Sequence, residues 1–227
     1  MPPSSPTSIA GLVLAAGAGS RYGLPKALAG GGDGVPWLVR TIRTLADACC
    51  SPVIVVLGAR ADDARALLVE FALTGATDVP GTATRTGAPT PPVLVVQAED
   101  WAEGLSASLR AGLRAATSLA PEPEAVAIVP VDVPGLRSST VARLIAPLPG
   151  TRAGKTGSEA SVGPDTLRQA GFLGRPGHPV VIGRAHWPEL IRSSGADTGA
   201  RPYLQAHHAH LVECSDLETG LDIDRRD

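Results

Sequence analysis

Residues 13–28 read Val-Leu-Ala-Ala-Gly-Ala-Gly-Ser-Arg-Tyr-Gly-Leu-Pro-Lys-Ala-Leu. The apolar run Ile9–Ala15 leading into this stretch has the length and composition of a buried strand. The loop that follows is rich in glycine, which lets the backbone come close to a ligand, and it carries two fixed cations, Arg21 and Lys26. Backbone N–H groups together with an arginine and a lysine suit a polyphosphate. The stretch therefore predicts a nucleotide site at the carboxyl end of the first strand. Spacing excludes two familiar phosphate loops. A dinucleotide fingerprint has two residues between its second and third glycines, whereas Ser20, Arg21 and Tyr22 separate Gly19 from Gly23. A Walker A loop ending in Gly154-Lys155-Thr156 needs a glycine where Pro149 stands, and residues 150–163 read as a solvated loop.

Outward from the loop, apolar β-branched runs alternate with helical periodicities. Strands are predicted over Ile9–Ala15, Val53–Leu57, 93–96 and 125–131, and helices over 39–48, 62–72, 106–119 and Ser138–Ile145. Pro36 lies near the start of the first helix, Asp62 or Asp63 at the N-terminus of the second, and a serine opens the last. Such alternation gives a parallel sheet with helices on both faces and ligands outside the carboxyl ends of the strands. From Thr166 the texture changes. Strands at 167–173 and 179–182, separated by residues 174–178, read as a hairpin added to the sheet, followed by helices near 186–192 and 200–207 and a strand over 211–214. Residues 1–8 read as a disordered tail and 74–92, rich in Thr, Gly and Pro, as a flexible insertion in a single domain spanning 9–227.

The 227 residues are 44% hydrophobic, enough for one sizeable core. A net charge of −2 offers no basic face to DNA or RNA, and 3% aromatics offer few stacking platforms. No apolar run approaches the ~18 residues of a membrane span. Cys49, Cys50 and Cys214 are too few for a disulfide framework or a zinc site, and read as reduced, buried thiols of a cytoplasmic protein. His207, His208 and His210 read as a solvated cap at the negative pole of a helix.

The run 125–131 ends in Asp132-Val133-Pro134. A carboxylate at the end of a buried strand is costly without a partner. Mg²⁺, which takes one or two carboxylates with substrate phosphates and water, is a natural one. An ordinary helix-entry turn satisfies the same residues.

Residues 14–26 match Leu-Ala-Ala-Gly-x-Gly-x-Arg-x-Gly-x-Pro-Lys at every specified position. On that match the chain resembles the MobA-like nucleotidyltransferases, most closely their cytidylyltransferase branch, which joins CMP to molybdopterin. The resemblance implies a three-layer α/β/α, Rossmann-like nucleotidyltransferase fold, a mostly parallel sheet with a β-hairpin addition. It implies that Leu14, Ala15, Ala16, Gly17, Gly19, Ser20, Arg21 and Lys26 bind the nucleotide. Residues 101–109 resemble the family's Trp-x-x-Gly-x-x-x-Ser-Leu, whose turn closes over base and ribose and adds Gly104 and Ser106 to that set. A capped helix explains them too, and Ala98 stands where the family often has Asn. Gly177-His178-Pro179-Val180 and Asp197-Thr198-Gly199-Ala200-Arg201 resemble elements of the cytidylyl branch, which places Gly177, His178, Asp197 and Arg201 on the acceptor side. A hairpin turn and a helix cap fit them equally. Asp222-Ile223-Asp224 resembles Asp-x-Asp-Thr-Pro, with Arg225 and Arg226 in place of Thr and Pro. Asp224 is then the second metal-linked residue beside Asp132, and Asp222 faces the acceptor, unless the segment is only a charged tail.

The activity so implied is transfer of CMP from CTP to molybdopterin, with pyrophosphate leaving. Arg21 is expected to hold the β- and γ-phosphates, Lys26 the α-phosphate and Asp132 the Mg²⁺, all three as catalytic residues that position and neutralise charge. Methyl groups at Ala15 and Ala16, where the guanylyl branch usually has Gly-Gly, are expected to narrow the pocket toward a pyrimidine. CTP or another NTP and molybdopterin are the small-molecule partners, with a molybdoenzyme or chaperone as protein partner. Alternatives are a guanylyltransferase, a sugar- or polyol-phosphate nucleotidyltransferase, or a catalytically silent nucleotide-binding accessory protein.

Overall fold

The central strands are buried almost throughout, and the alternation of their side chains between opposite faces builds two cores, one on each face of a sheet. In a computed structural model, residues 8–73, 92–152 and 159–225 are described; the predicted tail (except Ser8) and the predicted insertion (except Pro92) lie outside them. The strands are β1 (Ile9–Ala15), β2 (Val53–Leu57), β3 (Val93–Gln97), β4 (Ala125–Pro130), β5 (Leu148–Arg152), β6 (Glu159–Ala160), β7 (Leu167–Phe172), β8 (Arg175–Gly183) and β9 (His210–Glu213). The helices are α1 (Trp37–Asp47), α2 (Ala61–Glu70), α3 (Leu105–Thr117), α4 (Ser138–Ile145), α5 (Trp187–Ser193) and α6 (Arg201–Ala206). Seven strands form one sheet in the order β3-β2-β1-β4-β8-β7-β9. All its pairings are parallel except β4–β8 and β8–β7, so only β8 runs against the rest. Val13, Val55, Val129 and Val181 face α1, α2 and α4; Leu12, Ile54, Ile128 and Ile182 face α3, α5 and α6. The expected three-layer α/β/α architecture, mostly parallel with an added hairpin, is what the chain adopts.

Three local expectations are corrected. The hairpin turns at Leu173–Gly174, both at positive φ (52° and 74°), as a two-residue hairpin loop favours. Gly177 and His178 therefore lie inside β8 and not in a turn. Pro179 is tolerated there because the β4 pairing stops at Val180 and the β7 ladder is irregular between Gln169 and Gly171. Within 150–163, where a solvated loop is expected, β5 and β6 pair as a two-stranded antiparallel ribbon. α4 begins at Ser138 as expected, and the Arg137 N–H at its cap donates to the Glu218 carboxylate at 2.7 Å. Cys50 and Cys214 are buried as expected, but Cys49 is exposed, because it leaves the end of α1 in a left-handed conformation (φ 65°).

Candidate functional site

Parallel pairing of β1 with β4 sets Leu14 opposite Pro130, and the Val131 N–H donates to the Leu14 carbonyl at 3.1 Å. The glycine loop and Asp132 thus leave the sheet side by side. The loop folds back at Gly19 (φ 63°), whose carbonyl accepts from the Tyr22 and Gly23 amides; a side chain there would collide with the Leu24 carbonyl. Tyr22 packs on Trp37, ring centroids 5.2 Å apart. A 3₁₀ turn at Lys26–Leu28, pinned by buried Ala27 and Ala29, then carries the lysine. Its Nζ donates to Asp132 Oδ2 at 2.8 Å and to Asp224 Oδ1 at 3.0 Å, and Arg21 Nη1 lies 3.8 Å from Asp224 Oδ2. Burial works against the Lys26 ammonium, but hydrogen bonds and charge from both carboxylates outweigh it and raise its pKa. The same hydrogen bond and positive charge hold Asp224 below the usual carboxylate range.

Asp224 reaches this point on a C-terminal segment fastened along α4. Asp216 pairs with Arg143, Glu218 caps the helix through Arg137, and the Ile223 N–H donates to the Asp132 carbonyl at 2.9 Å. Burial pushes the Glu218 carboxyl up.

Two adjoining cavities open at this end of the sheet and share Leu14, Gly17, Ser20, Leu105 and Asp197. The first is lined also by Ala15, Gly19, Arg21, Tyr22, Lys26, Pro130, Val131, Asp132 and Asp224. The second is lined also by Ala16, Ala18, Trp101, Ala102, Glu103, Gly104 and Ser108. Ala15 and Ala16 fall in different cavities because successive strand residues point to opposite faces. Of these two alanines, only Ala16 lines the second cavity.

Ser106 is brought elsewhere. The residue is 1% exposed, and its hydroxyl donates to the Gly195 carbonyl at 3.1 Å and accepts from the Gly199 N–H at 3.2 Å, so it ties a loop and lines neither cavity. Ser108 lines the second cavity instead. The serine specified by the pattern over 101–109 is Ser108, and Ser106 stands at one of its unspecified positions, so the expectation for Ser106 is corrected to Ser108. Asp197 caps α3, a helix 92 residues away, through the Leu105 N–H at 2.9 Å, while lining both cavities. Gly104 (φ 107°) leaves room for it, since a side chain there would meet Asp197 Oδ1 at 2.9 Å.

Gly177, His178, Arg201 and Asp222 line neither cavity. His178 nevertheless stands beside the site: pairing of Ile128 with Val180 carries it alongside the end of β4. Its Nδ1 is shut off from solvent without a hydrogen-bond partner among the described residues. Burial lowers its pKa, against the opposing charges of Asp132 and Asp222, with Arg201 adding to the lowering. His207 meets the cap expectation, its Nδ1 bonding the Tyr203 carbonyl at the end of α6.

The oxygen donors suit a hard cation, since Asp132 and Asp224 already converge on one positive centre. Among the described residues no group of three or more His, Cys, Asp or Glu side chains converges as a complete metal cage. Two carboxylates fit Mg²⁺ bound jointly with substrate phosphates.

The sequence profile of the MobA-like NTP transferase domain matches residues 11–211. The chain belongs to the MobA-like family. Among its relatives is the nicotine blue oxidoreductase of Paenarthrobacter nicotinovorans, 32% identical, with the alignment covering 95% of this chain and 92% of the relative. The fold is shared with Rv0371c of Mycobacterium tuberculosis H37Rv (24% identity, TM-score 0.66, covering 97% of this chain and 95% of that one). It is shared as well with the complex of that protein with manganese (23%, TM-score 0.60, covering 92% and 88%). A nucleotidyl transferase of Methanothermobacter thermautotroptrophicus (20%, TM-score 0.66, covering 96% and 92%) has the same fold. Membership puts the protein in the nucleotidyltransferase superfamily. Among the described residues no helix is long and apolar enough to cross a membrane.

Proposed function

We propose that this protein transfers CMP from CTP to the phosphate of molybdopterin and releases pyrophosphate. The single observation that carries the chemistry is the joining of Arg21, Lys26, Asp132 and Asp224 at the mouth of the first cavity. An acceptor phosphate oxygen attacks the α-phosphorus, and the bond from that phosphorus to the α,β-bridging oxygen breaks. The acceptor arrives already anionic, so the burden is to hold two anions together and to neutralise the leaving pyrophosphate. Arg21 and Lys26 supply fixed positive charge, and Gly17 to Ser20 supply backbone next to the phosphates. Asp132 and Asp224 would hold Mg²⁺, which neutralises phosphate charge when bound. The second cavity, with Ala16, Trp101, Gly104 and Ser108, takes base and ribose. The Ala16 methyl supports a pyrimidine, a preference worth about 1–3 kcal/mol per methylene-sized group. In this reading the acceptor enters on the side of Asp132 nearest His178, Arg201 and Asp222, supported by the charges of Asp132, Asp222 and Arg201 acting on His178.

Pyrophosphate release with each of the four NTPs, molybdopterin and Mg²⁺ tests this. Turnover with CTP is expected; turnover with GTP alone refutes the cytidylyl assignment, and turnover only with a sugar or polyol phosphate refutes the acceptor. A second reading comes from the 32% identical oxidoreductase: the paired cavities then hold a reduced dinucleotide and a dye. The loop spacing, which is not that of the dinucleotide fingerprint, favours the triphosphate. Consumption of a reduced nicotinamide dinucleotide by nicotine blue, with no pyrophosphate in any NTP mixture, selects the redox reading.

A further inference from the structure

The same lysine proposed for the substrate's phosphates is held by two carboxylates proposed for its metal. Lys26 Nζ lies 2.8 Å from Asp132 and 3.0 Å from Asp224, and the other Asp224 oxygen faces Arg21 at 3.8 Å. Asp224 is thus hydrogen-bonded to one and ion-paired with the other of the two cations that a triphosphate would use. It sits on an exposed end of the chain, docked beside Asp132 through the Ile223 N–H. These contacts exclude those of the substrate complex: an ammonium and a divalent cation cannot both occupy the space between the two carboxylates, and Asp224 and a phosphate cannot both claim Arg21.

We infer that Lys26 is the resident cation of the free protein, and that a divalent metal displaces it from Asp132 and Asp224 and hands it to the triphosphate. This rests on Arg21 and Lys26 being the triphosphate's ligands. Metal and triphosphate then bind cooperatively, and by linkage each strengthens the other by the same factor. Without metal, Asp224 competes with the triphosphate for Lys26 and Arg21.

The test is calorimetric titration of the full chain with inorganic tripolyphosphate, once in EDTA and once with MgCl₂. In EDTA, Asp224→Asn is expected to bind about threefold to fivefold more tightly than the unaltered chain, the scale of a part-exposed ion pair. Its further gain on adding MgCl₂ is expected to be smaller, since one metal-facing carboxylate is gone. Glu70→Gln removes the same charge at an exposed residue of α2 that lines neither cavity, and is expected to behave as the unaltered chain. Equal or weaker binding by Asp224→Asn in EDTA, an undiminished gain with MgCl₂, or an equal effect of Glu70→Gln overturns the inference. Tripolyphosphate carries no base and no acceptor, so linkage seen in a protein silent toward CTP and molybdopterin refutes the proposed reaction alone. Absence of tripolyphosphate binding in every condition refutes both.

Discussion

Replacing Ser106 by alanine separates a serine that ties the fold from one that touches the nucleotide. In the structure the hydroxyl bridges the Gly195 carbonyl and the Gly199 N–H. The carbonyl keeps a partner without it, because Thr198 Oγ1 also donates to Gly195 at 3.1 Å. The Gly199 amide is left unsatisfied in a buried place, which costs about 1–3 kcal/mol. At a middle value of about 2 kcal/mol, a chain of this size loses about 4–8 °C of Tm. The loosened loop carries Asp197, the cap of α3 and a wall of both cavities, so KM for the nucleotide should rise a fewfold in the same variant. Differential scanning calorimetry beside steady-state kinetics reads both quantities. A variant with unchanged Tm and a raised KM refutes the reasoning, because the hydroxyl would then be bonding the nucleotide directly.

Lys26→Ala and Asp132→Ala should each lower pyrophosphate release by about 10²-fold, the scale of losing a placed electrostatic group; turnover within about threefold of the unaltered protein in both removes the site. Gly112→Ala on α3 would place its methyl 2.5 Å from Leu12 Cδ1 and 3.1 Å from Val56 Cγ2, both on fully buried residues. Overpacking of about 1–3 kcal/mol should exceed the helix gain of about 1 kcal/mol, and a thermal melt showing a raised Tm would contradict it. Bonds from the Ser215 hydroxyl and amide, and from the Gly174 and Leu173 amides, hold the Glu213 carboxyl down to about 2 from its ordinary 4.5. A depressed carboxylate stabilises the fold above its unfolded pKa and ceases to as pH falls through its folded one. The Tm gap between the natural protein and Glu213→Gln should therefore be full near pH 6 and close between about pH 4.5 and about pH 2; a gap independent of pH denies Glu213 that role.

What could be read from the chain is what neighbouring residues decide. The β-branched runs and their helical intervals gave the layers, because strand and helix periods are set within a few residues. The meeting of Lys26 with Asp132 followed from one topological fact, that the ends of parallel strands lie together. Other features depended on partners far along the chain. Asp224 finds Lys26 across 198 residues, and Asp197 caps a helix across 92. Local motifs single out both aspartates, yet each also reads as a solvated charge, and nothing local names its partner. Ser106 and Ser108 are two residues apart on one helix, and only its docking against the loop at 195–199 turns one inward to a backbone bond and leaves the other facing the cavity. The sequence by itself determined the sheet and its cationic turn; tertiary packing alone decided which carboxylates share the lysine and which hydroxyl is tied to a loop, because those contacts form only once distant segments have closed on one another.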